Sequence, residues 1–241
     1  KLQISNLDLN DDDEVDYLRV IESVEKRTHV IIIQAVLDQD VYQDVATIDV
    51  EKDSNNNVQV QIVGDVYMYG QNYIYEPVYH SIPLIYASFW VTNYRPYYST
   101  WNWNYYPSYY HAWNPFPVFR YRNNINISLN INNRYNYVTN RRSQQAVILH
   151  HSRRSNGYER QYPNYSFSRR NAQISNRYEL DQRRNTRSTA SRDRNGYAQN
   201  RMGSARETAY NRGESQRGNS QNRVNSTRDT SPQRTESQRG N

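Results

Sequence analysis

The sequence contains no cysteine among its 241 residues, which excludes disulfide bonds and thiolate chemistry. No apolar run approaches the roughly 18 to 20 residues that a membrane-spanning helix needs. The motifs of a nucleophile elbow, a phosphate-binding glycine loop and a dinucleotide site are also missing. Because these absences leave no positive case for catalysis, we expect a non-enzymatic protein without a cofactor.

Lysine is missing from the C-terminal half, where all 24 basic residues from Arg120 onward are arginine. The guanidinium group binds phosphate or carboxylate bidentately and stacks on aromatic rings. Residues 1–76 carry 16 Asp and Glu against 5 Lys and Arg, a net charge of −11, whereas residues 77–241 carry 8 against 25, a net charge of +17. This division predicts a basic tail directed either at a polyanion or at the protein's own acidic part.

The composition predicts an α+β protein with four parts. These are an N-terminal arm at 1–10, a small acidic module at 11–76, an extended Tyr/Trp/Pro-rich segment at 77–151 and an Arg/Asn/Ser-rich tail at 152–241. The tail has too little apolar surface to offset the entropy of ordering, so we predict disorder from about Ser152 onward.

The acidic module is predicted to contain one helix and an antiparallel sheet. "DDDEVDYLRVIESVEK" (11–26) places its apolar residues on one arc of a helical wheel, and its acids suit a helix N-terminus. "HVIIIQAVL" (29–37) is rich in β-branched residues and predicts a buried strand. "VATIDVEK" and "VQVQIV", separated by "DSNNN", predict a hairpin in which Gln59 and Gln61 face solvent.

The region from Tyr67 to Tyr121 holds fourteen Tyr and all four Trp, interrupted by six prolines. Proline removes ladder donors and breaks helices, so we expect extended structure with short strands. The alternation of Asn and Ile that follows predicts a strand near 124–131.

Tyr and Trp flanked by Asn and Ser, as in "YYSTWNWNYYPSYYHAW" (97–113), have two interpretations. Their rings either form an exposed platform that stacks on sugars or bases, or cover an otherwise small β-core. The arginines are candidates for contacts with anions. The candidate binding residues are Trp101, Trp103, Tyr105, Tyr106, Tyr109, Tyr110, Trp113, Arg141, Arg142, Arg153, Arg154, Arg169 and Arg170.

Two patterns suggest a metal site and fail on inspection. Asp8, Asn10 and Asp12 alternate like the start of an EF-hand loop, but Asp13 stands where the loop needs glycine and Arg19 where it needs glutamate. His150 and His151 are adjacent, and neighbours in a strand face opposite sides. We therefore predict no metal site.

The Tyr/Trp-rich segment, the Arg141–Arg142 pair and the Arg/Asn/Gly/Ser tail ending in "QRGN" resemble exported proteins of bacterial envelopes that have no assigned activity. This resemblance implies a removed signal peptide and a location in the periplasm or cell envelope. The expected function is binding of an anionic envelope polymer or polysaccharide, and self-association is a further expectation.

The tail is also similar to Arg/Gly-rich RNA-binding segments, although only isolated Arg-Gly pairs occur, at Arg212, Arg217 and Arg239. The alternative is therefore a cytoplasmic protein that binds single-stranded nucleic acid through Tyr/Trp stacking and contacts from Arg to phosphate.

Overall fold

Six antiparallel strands, arranged in chain order, form the central sheet of the protein. The strands are β1 (Tyr17–Glu25), β2 (Thr28–Asp38), β3 (Val41–Lys52), β4 (Val58–Gly64), β5 (Ile74–Val78) and β6 (Arg134–Val138). A computed structural model describes residues 4–79, 81–128 and 134–185. Because helices pack against this sheet, the predicted α+β class is confirmed.

The helices are short and come mostly after the sheet in the chain. They are α1 (Val66–Tyr69), α2 (Val118–Ser128), α3 (Gln144–Arg153), α4 (Gly157–Gln161) and α5 (Phe167–Arg170), with 3₁₀ helices at Leu84–Trp90 and Pro163–Tyr165. Residues 177–185 are also helical. In the described part of the chain, no helix has the length and apolar character needed to cross a bilayer.

β1 occupies the segment predicted to be a helix, so that prediction is wrong. It pairs with β2 over its whole length, from Tyr17 opposite Val36 to Glu25 opposite Thr28. An isolated helix of this length is only marginally stable, whereas the ladder beside the apolar β2 satisfies the backbone and buries Ile21. Tertiary pairing therefore overrides the local helical pattern.

The predicted buried strand and hairpin are confirmed as β2, β3 and β4. The hairpin turn is held by Asp53, whose carboxylate accepts hydrogen bonds from the amides of Asn55 and Asn57 at 2.8 Å each. The expected orientation of Gln61 is wrong, because this side chain is buried. Its amide donates to Glu76 and to the Asn140 carbonyl, and its oxygen accepts from the Arg142 amide.

The prediction of a strand near 124–131 is wrong for residues 124–128, because these residues belong to α2. Residues 129–131 lie outside the described residues. α2 follows Pro117, whose carbonyl accepts from the amides of Arg120 and Tyr121. α2 buries no residue, so this segment has no apolar surface beside it. Because the strand preference of alternating isoleucines depends on packing against such a surface, the sequence pattern does not produce a strand here.

Residues 152–185 of the predicted disordered tail are ordered, which corrects that part of the prediction; residues 186–241 lie outside the described residues. α4 packs on β3, and Gly157 approaches it so closely that an added Cβ would lie 2.7 Å from Val41. Phe167 and Asn176 are buried as well. A few well-placed anchors thus order a polar segment that lacks apolar periodicity.

Ion pairs between the acidic strands and two consecutive arginines fasten the chain before α3. Arg141 binds the Asp49 carboxylate bidentately, at 2.6 and 2.9 Å, and this pair is largely buried. Arg142 binds Glu76 in the same way, at 2.6 and 2.9 Å, but its side chain is 56% exposed against 16% for Arg141. Some arginines of the basic half of the chain therefore form ion pairs with acids of its acidic half.

We expect Arg141→Ala to lower the free energy of unfolding by about 3 to 5 kcal/mol, because it leaves Asp49 buried without its cation. Arg142→Ala is the matched control, with an expected loss below about 1 kcal/mol because its pair is exposed. Urea denaturation of both variants measures the difference. Equal losses in the two variants would contradict the distinction.

Candidate functional site

The Tyr/Trp-rich segment runs along the outer edge of β1. The Glu22 amide donates to the Tyr97 carbonyl at 2.7 Å, and the Ser99 amide donates to the Val20 carbonyl at 3.0 Å. Tyr98 lies opposite Ile21 as an isolated bridge. This short pairing covers backbone groups that would otherwise be exposed at the edge of the sheet.

A buried pair, Glu22 and His29, anchors the segment. Both side chains are almost fully buried, and the His29 Nδ1 lies 2.8 Å from the Glu22 Oε1. The Tyr94 hydroxyl donates to the same carboxylate at 2.6 to 2.7 Å, and the Tyr97 amide donates to it at 2.8 Å. The rings of Phe89, Trp90 and Tyr94 surround the imidazole, with centroids 4.9 to 5.3 Å away.

This anchor is not predicted from the sequence, because in the expected helix Glu22 lies on the side opposite the apolar arc. Burial by itself raises the pKa of Glu22. The hydrogen bonds from His29, Tyr94 and the Tyr97 amide outweigh burial and hold the pKa below its ordinary value.

The candidate aromatic residues divide into an inner and an outer group. Tyr106, Tyr110 and Trp113 form a chain of ring contacts that begins at Tyr17 of β1, with centroids 4.9 to 6.0 Å apart. Trp101 and Trp103 are half-buried, and Trp101 packs on Tyr105 at 5.2 Å. Tyr105 and Tyr109 are exposed. Some rings thus extend the core, as one interpretation expects, and others are exposed, while stacking on a ligand stays a prediction.

The candidate arginines divide in the same way. Arg141, Arg142 and Arg154 form ion pairs with acids. Arg153, Arg169 and Arg170 are exposed and, within the described residues, form no ion pair, and the same holds for Arg160 of α4. Only this second group retains free cationic charge for a ligand.

A cavity of about 540 Å³ lies over β3 and β4, beneath α3 and α4. The acidic, basic and histidine side chains that line it are Asp44, Asp65, Arg141, His150, His151, Arg154 and Glu159. Of these, Arg141 and Arg154 were among the predicted site residues, and the other five were not. A well-formed pocket with convergent polar groups is the usual place for a ligand.

The innermost polar group of this cavity is a pair formed by Asp44 and His150. The fully buried Asp44 carboxylate lies 2.8 Å from the His150 Nε2 and accepts from the Gln34 amide at 2.7 Å. Gln34 in turn accepts from Arg19 at 2.9 Å. The carboxylate thus fixes the orientation of the imidazole.

A second buried acid, Asp65, lies at the junction of β4 and α1. Its side chain caps α1 by accepting from the Tyr67 amide at 3.0 Å. Arg154 reaches Asp65 at 3.4 Å and Glu159 at 2.6 Å. Burial raises the pKa of Asp65, and the positive charge of Arg154 opposes this effect. Arg154 therefore serves both Asp65 and Glu159.

Stacked tyrosines lie beside the mouth of the cavity. Tyr158 packs on Tyr162 at 4.9 Å, and Tyr162 stacks on Tyr165 at 5.4 Å with nearly parallel rings. Tyr162 and Tyr165 are exposed, and the Tyr162 carbonyl accepts from the hydroxyl of Tyr67, a lining residue.

The free arginines belong to the same region. α4 and α5, which carry Arg160, Arg169 and Arg170, both pack against the 3₁₀ helix Pro163–Tyr165. Burial raises the pKa of Tyr67 to about 12, and the charge of Tyr158 adds to this rise. The charge of Arg170 opposes the rise, so Arg170 lies near the rings of Tyr67 and Tyr158. We call Tyr162, Tyr165, Arg169 and Arg170 the rim.

The acidic loop considered for calcium is partly buried. Asp16 is buried and accepts from the Leu9 amide at 3.0 Å. Burial, with added repulsion from Asp8 and Asp12, raises its pKa to about 7. Across residues 4–79, 81–128 and 134–185, no group of three or more His, Cys, Asp or Glu side chains is arranged to hold a metal ion.

Comparisons with known proteins found no matching family model, no similar curated protein and no similar solved structure. Any function must therefore be argued from the side chains themselves.

We expect the stability contributed by Glu22 to be present above about pH 4.5 and to be lost as the pH falls through its lowered native-state pKa. Glu22→Gln should therefore be less stable than the wild type at neutral pH, with the difference shrinking in acid. Thermal unfolding from neutral pH to about pH 3 measures this. A difference that does not change with pH would contradict the assignment.

Proposed function

We propose that the protein is a non-enzymatic, exported interaction protein of the bacterial envelope that binds an anionic polymer at the rim. The observation that carries the proposal is the combination of stacked, exposed Tyr162 and Tyr165 with Arg169 and Arg170, which form no ion pair within the described part of the chain. Flat rings stack on sugars, while guanidinium groups bind carboxylate, sulfate or phosphate. The envelope location rests on the sequence resemblance.

The charge balance around the rim supports an anionic ligand. Residues 141–178 contain eight arginines and two histidines but one acid, Glu159, which is already paired with Arg154. Beneath this surface, Asp49 and Asp65 are paired with Arg141 and Arg154, and Asp44 is hydrogen-bonded to His150. Excess positive charge therefore remains at the surface and attracts polyanions.

Two of the candidate residues take a different role in this proposal from the one expected. Arg141 holds Asp49 and Arg154 holds Asp65, and both act as supports because their guanidinium groups are paired. The exposed Tyr105 and Tyr109 lie on the Tyr/Trp-rich segment and offer further aromatic contact area. Single-stranded nucleic acid is the alternative ligand, because bases also stack on such rings.

For the full chain, we expect log affinity for polyphosphate to fall linearly with log salt concentration. Replacing Arg169 and Arg170 by Gln should reduce this slope by about two, because each lost phosphate contact contributes about one. Arg142→Gln is the control, since its guanidinium is paired with Glu76 and the slope should not change. An unchanged slope in the double variant would place the polymer elsewhere.

Tyr165→Ala tests the stacking contribution separately from charge. We expect it to weaken binding of a uronate polysaccharide or a single-stranded oligonucleotide by about 1 to 3 kcal/mol, which is the value of one stacked ring. Polyphosphate has no rings and is the internal control, with no expected change. A strong preference for the oligonucleotide that persists at high salt would favour the alternative ligand over the envelope polymer.

A further inference from the structure

A long uncharged stretch separates β5 from the rest of the Tyr/Trp-rich segment. Residues 77–94 contain no Asp, Glu, Lys or Arg. Within it, Leu84 is 91% exposed, Ile85 65% and Ile82 54%, and we call these three residues the apolar tip. Scattered exposed apolar residues are normal, but three of them within four positions mark a site of interaction.

The apolar tip is held outward by its own helix. The 3₁₀ helix Leu84–Trp90 is closed by hydrogen bonds from the Tyr86 amide to the Pro83 carbonyl at 3.1 Å and from the Ser88 hydroxyl to the Ile85 carbonyl at 2.7 Å. Its far end, Phe89 and Trp90, packs on the buried His29. The outward direction of Leu84 and Ile85 therefore follows from the anchoring of the same helix.

The surroundings of the tip match the chemistry of a lipid headgroup layer. Tyr79 and Tyr86 share a hydroxyl hydrogen bond of 2.6 Å, and together with Trp90 they place amphipathic rings behind the aliphatic side chains. Tyr and Trp favour this depth in membranes, between the acyl chains and water. A side chain that is 91% exposed protrudes, which suits insertion between headgroups better than docking in a flat interface.

Cationic side chains lie beside Trp90. The Lys52 Nζ is 4.5 Å above its ring, and the Lys52 amide donates to the Arg27 carbonyl, which brings the exposed Lys26 of the β1–β2 turn to the same end of the sheet. Among the acids at this end, Glu25 accepts a hydrogen bond from Gln145, and Asp53 accepts from backbone amides of its own turn. Lysines next to an apolar tip are complementary to anionic lipid phosphates.

We propose that the apolar tip inserts into the interfacial layer of a lipid bilayer and attaches the protein peripherally to a membrane. The tip supplies the buried apolar area, the rings of Tyr79, Tyr86 and Trp90 lie at headgroup depth, and Lys26 and Lys52 approach the phosphates. This membrane contact is independent of the polymer site at the rim, which lies on a different part of the chain.

The test is flotation of the full chain with vesicles of phosphatidylethanolamine and phosphatidylglycerol at low and at about 0.5 M salt, where attraction by exposed arginines is screened. We expect wild-type protein to remain bound at high salt. Replacing Leu84 and Ile85 together by Asp should reduce partitioning at least about tenfold, because binding scales with buried apolar area. Unchanged thermal unfolding of this variant verifies that it folds.

Val118→Asp combined with Phe119→Asp is the matched control, since these residues of α2 are 63% and 76% exposed. This control should bind vesicles like the wild type. Loss of all wild-type binding at high salt would overturn insertion, as would equal partitioning of the Leu84/Ile85 variant. A dimer in ultracentrifugation that this variant dissociates would assign the tip to a second copy instead, and would likewise overturn the proposal.

Discussion

The protein depends on the pairing of buried carboxylates in the sheet with donors that come later in the chain. Glu22, Asp44, Asp49 and Asp65 lie on or beside the strands, with side chains at most 3% exposed. Each would be costly to bury alone. The partners arrive from His29 and Tyr94, from His150, from Arg141 and from Arg154. Closing the fold therefore also brings each of these acids its hydrogen-bond or ion-pair partner.

This constraint explains the division of charge along the sequence. An acidic strand-forming half and a basic half are complementary within one molecule, so part of the arginine content is structural. Four of the arginines that form no ion pair within the described residues, Arg153, Arg160, Arg169 and Arg170, lie on the helices that precede and follow the stacked Tyr162 and Tyr165. The cavity polar groups beneath them are satisfied, and so the rim presents positive charge over a rigid base.

The Tyr/Trp-rich segment shows how one composition serves two purposes. Rings that contact His29 or Tyr17 extend the small apolar core, and the hydroxyl of Tyr94 satisfies a buried acid. By holding one side of the segment, these contacts fix the direction of the other side, where Leu84 and Tyr109 are exposed. Exposed apolar surface on a fixed frame loses less entropy on binding than a flexible one.

The sequence by itself determined β2, β3 and β4, because β2 is rich in β-branched residues, apolar and polar residues alternate in β3 and β4, and Asp53 begins a turn that its own side chain stabilises. It also determined that cations and acids are segregated. Tertiary structure alone decided that residues 17–25 form a strand, that Gln61 is buried and that residues 152–185 are ordered. The strand at 17–25 depends on pairing with β2, and the other two depend on partners distant in the chain, as Gln61 and Asn140 are 79 positions apart. A local sequence pattern indicates whether a segment suits a helix or a strand. Only the fold supplies the neighbour that buries that segment or pairs with it.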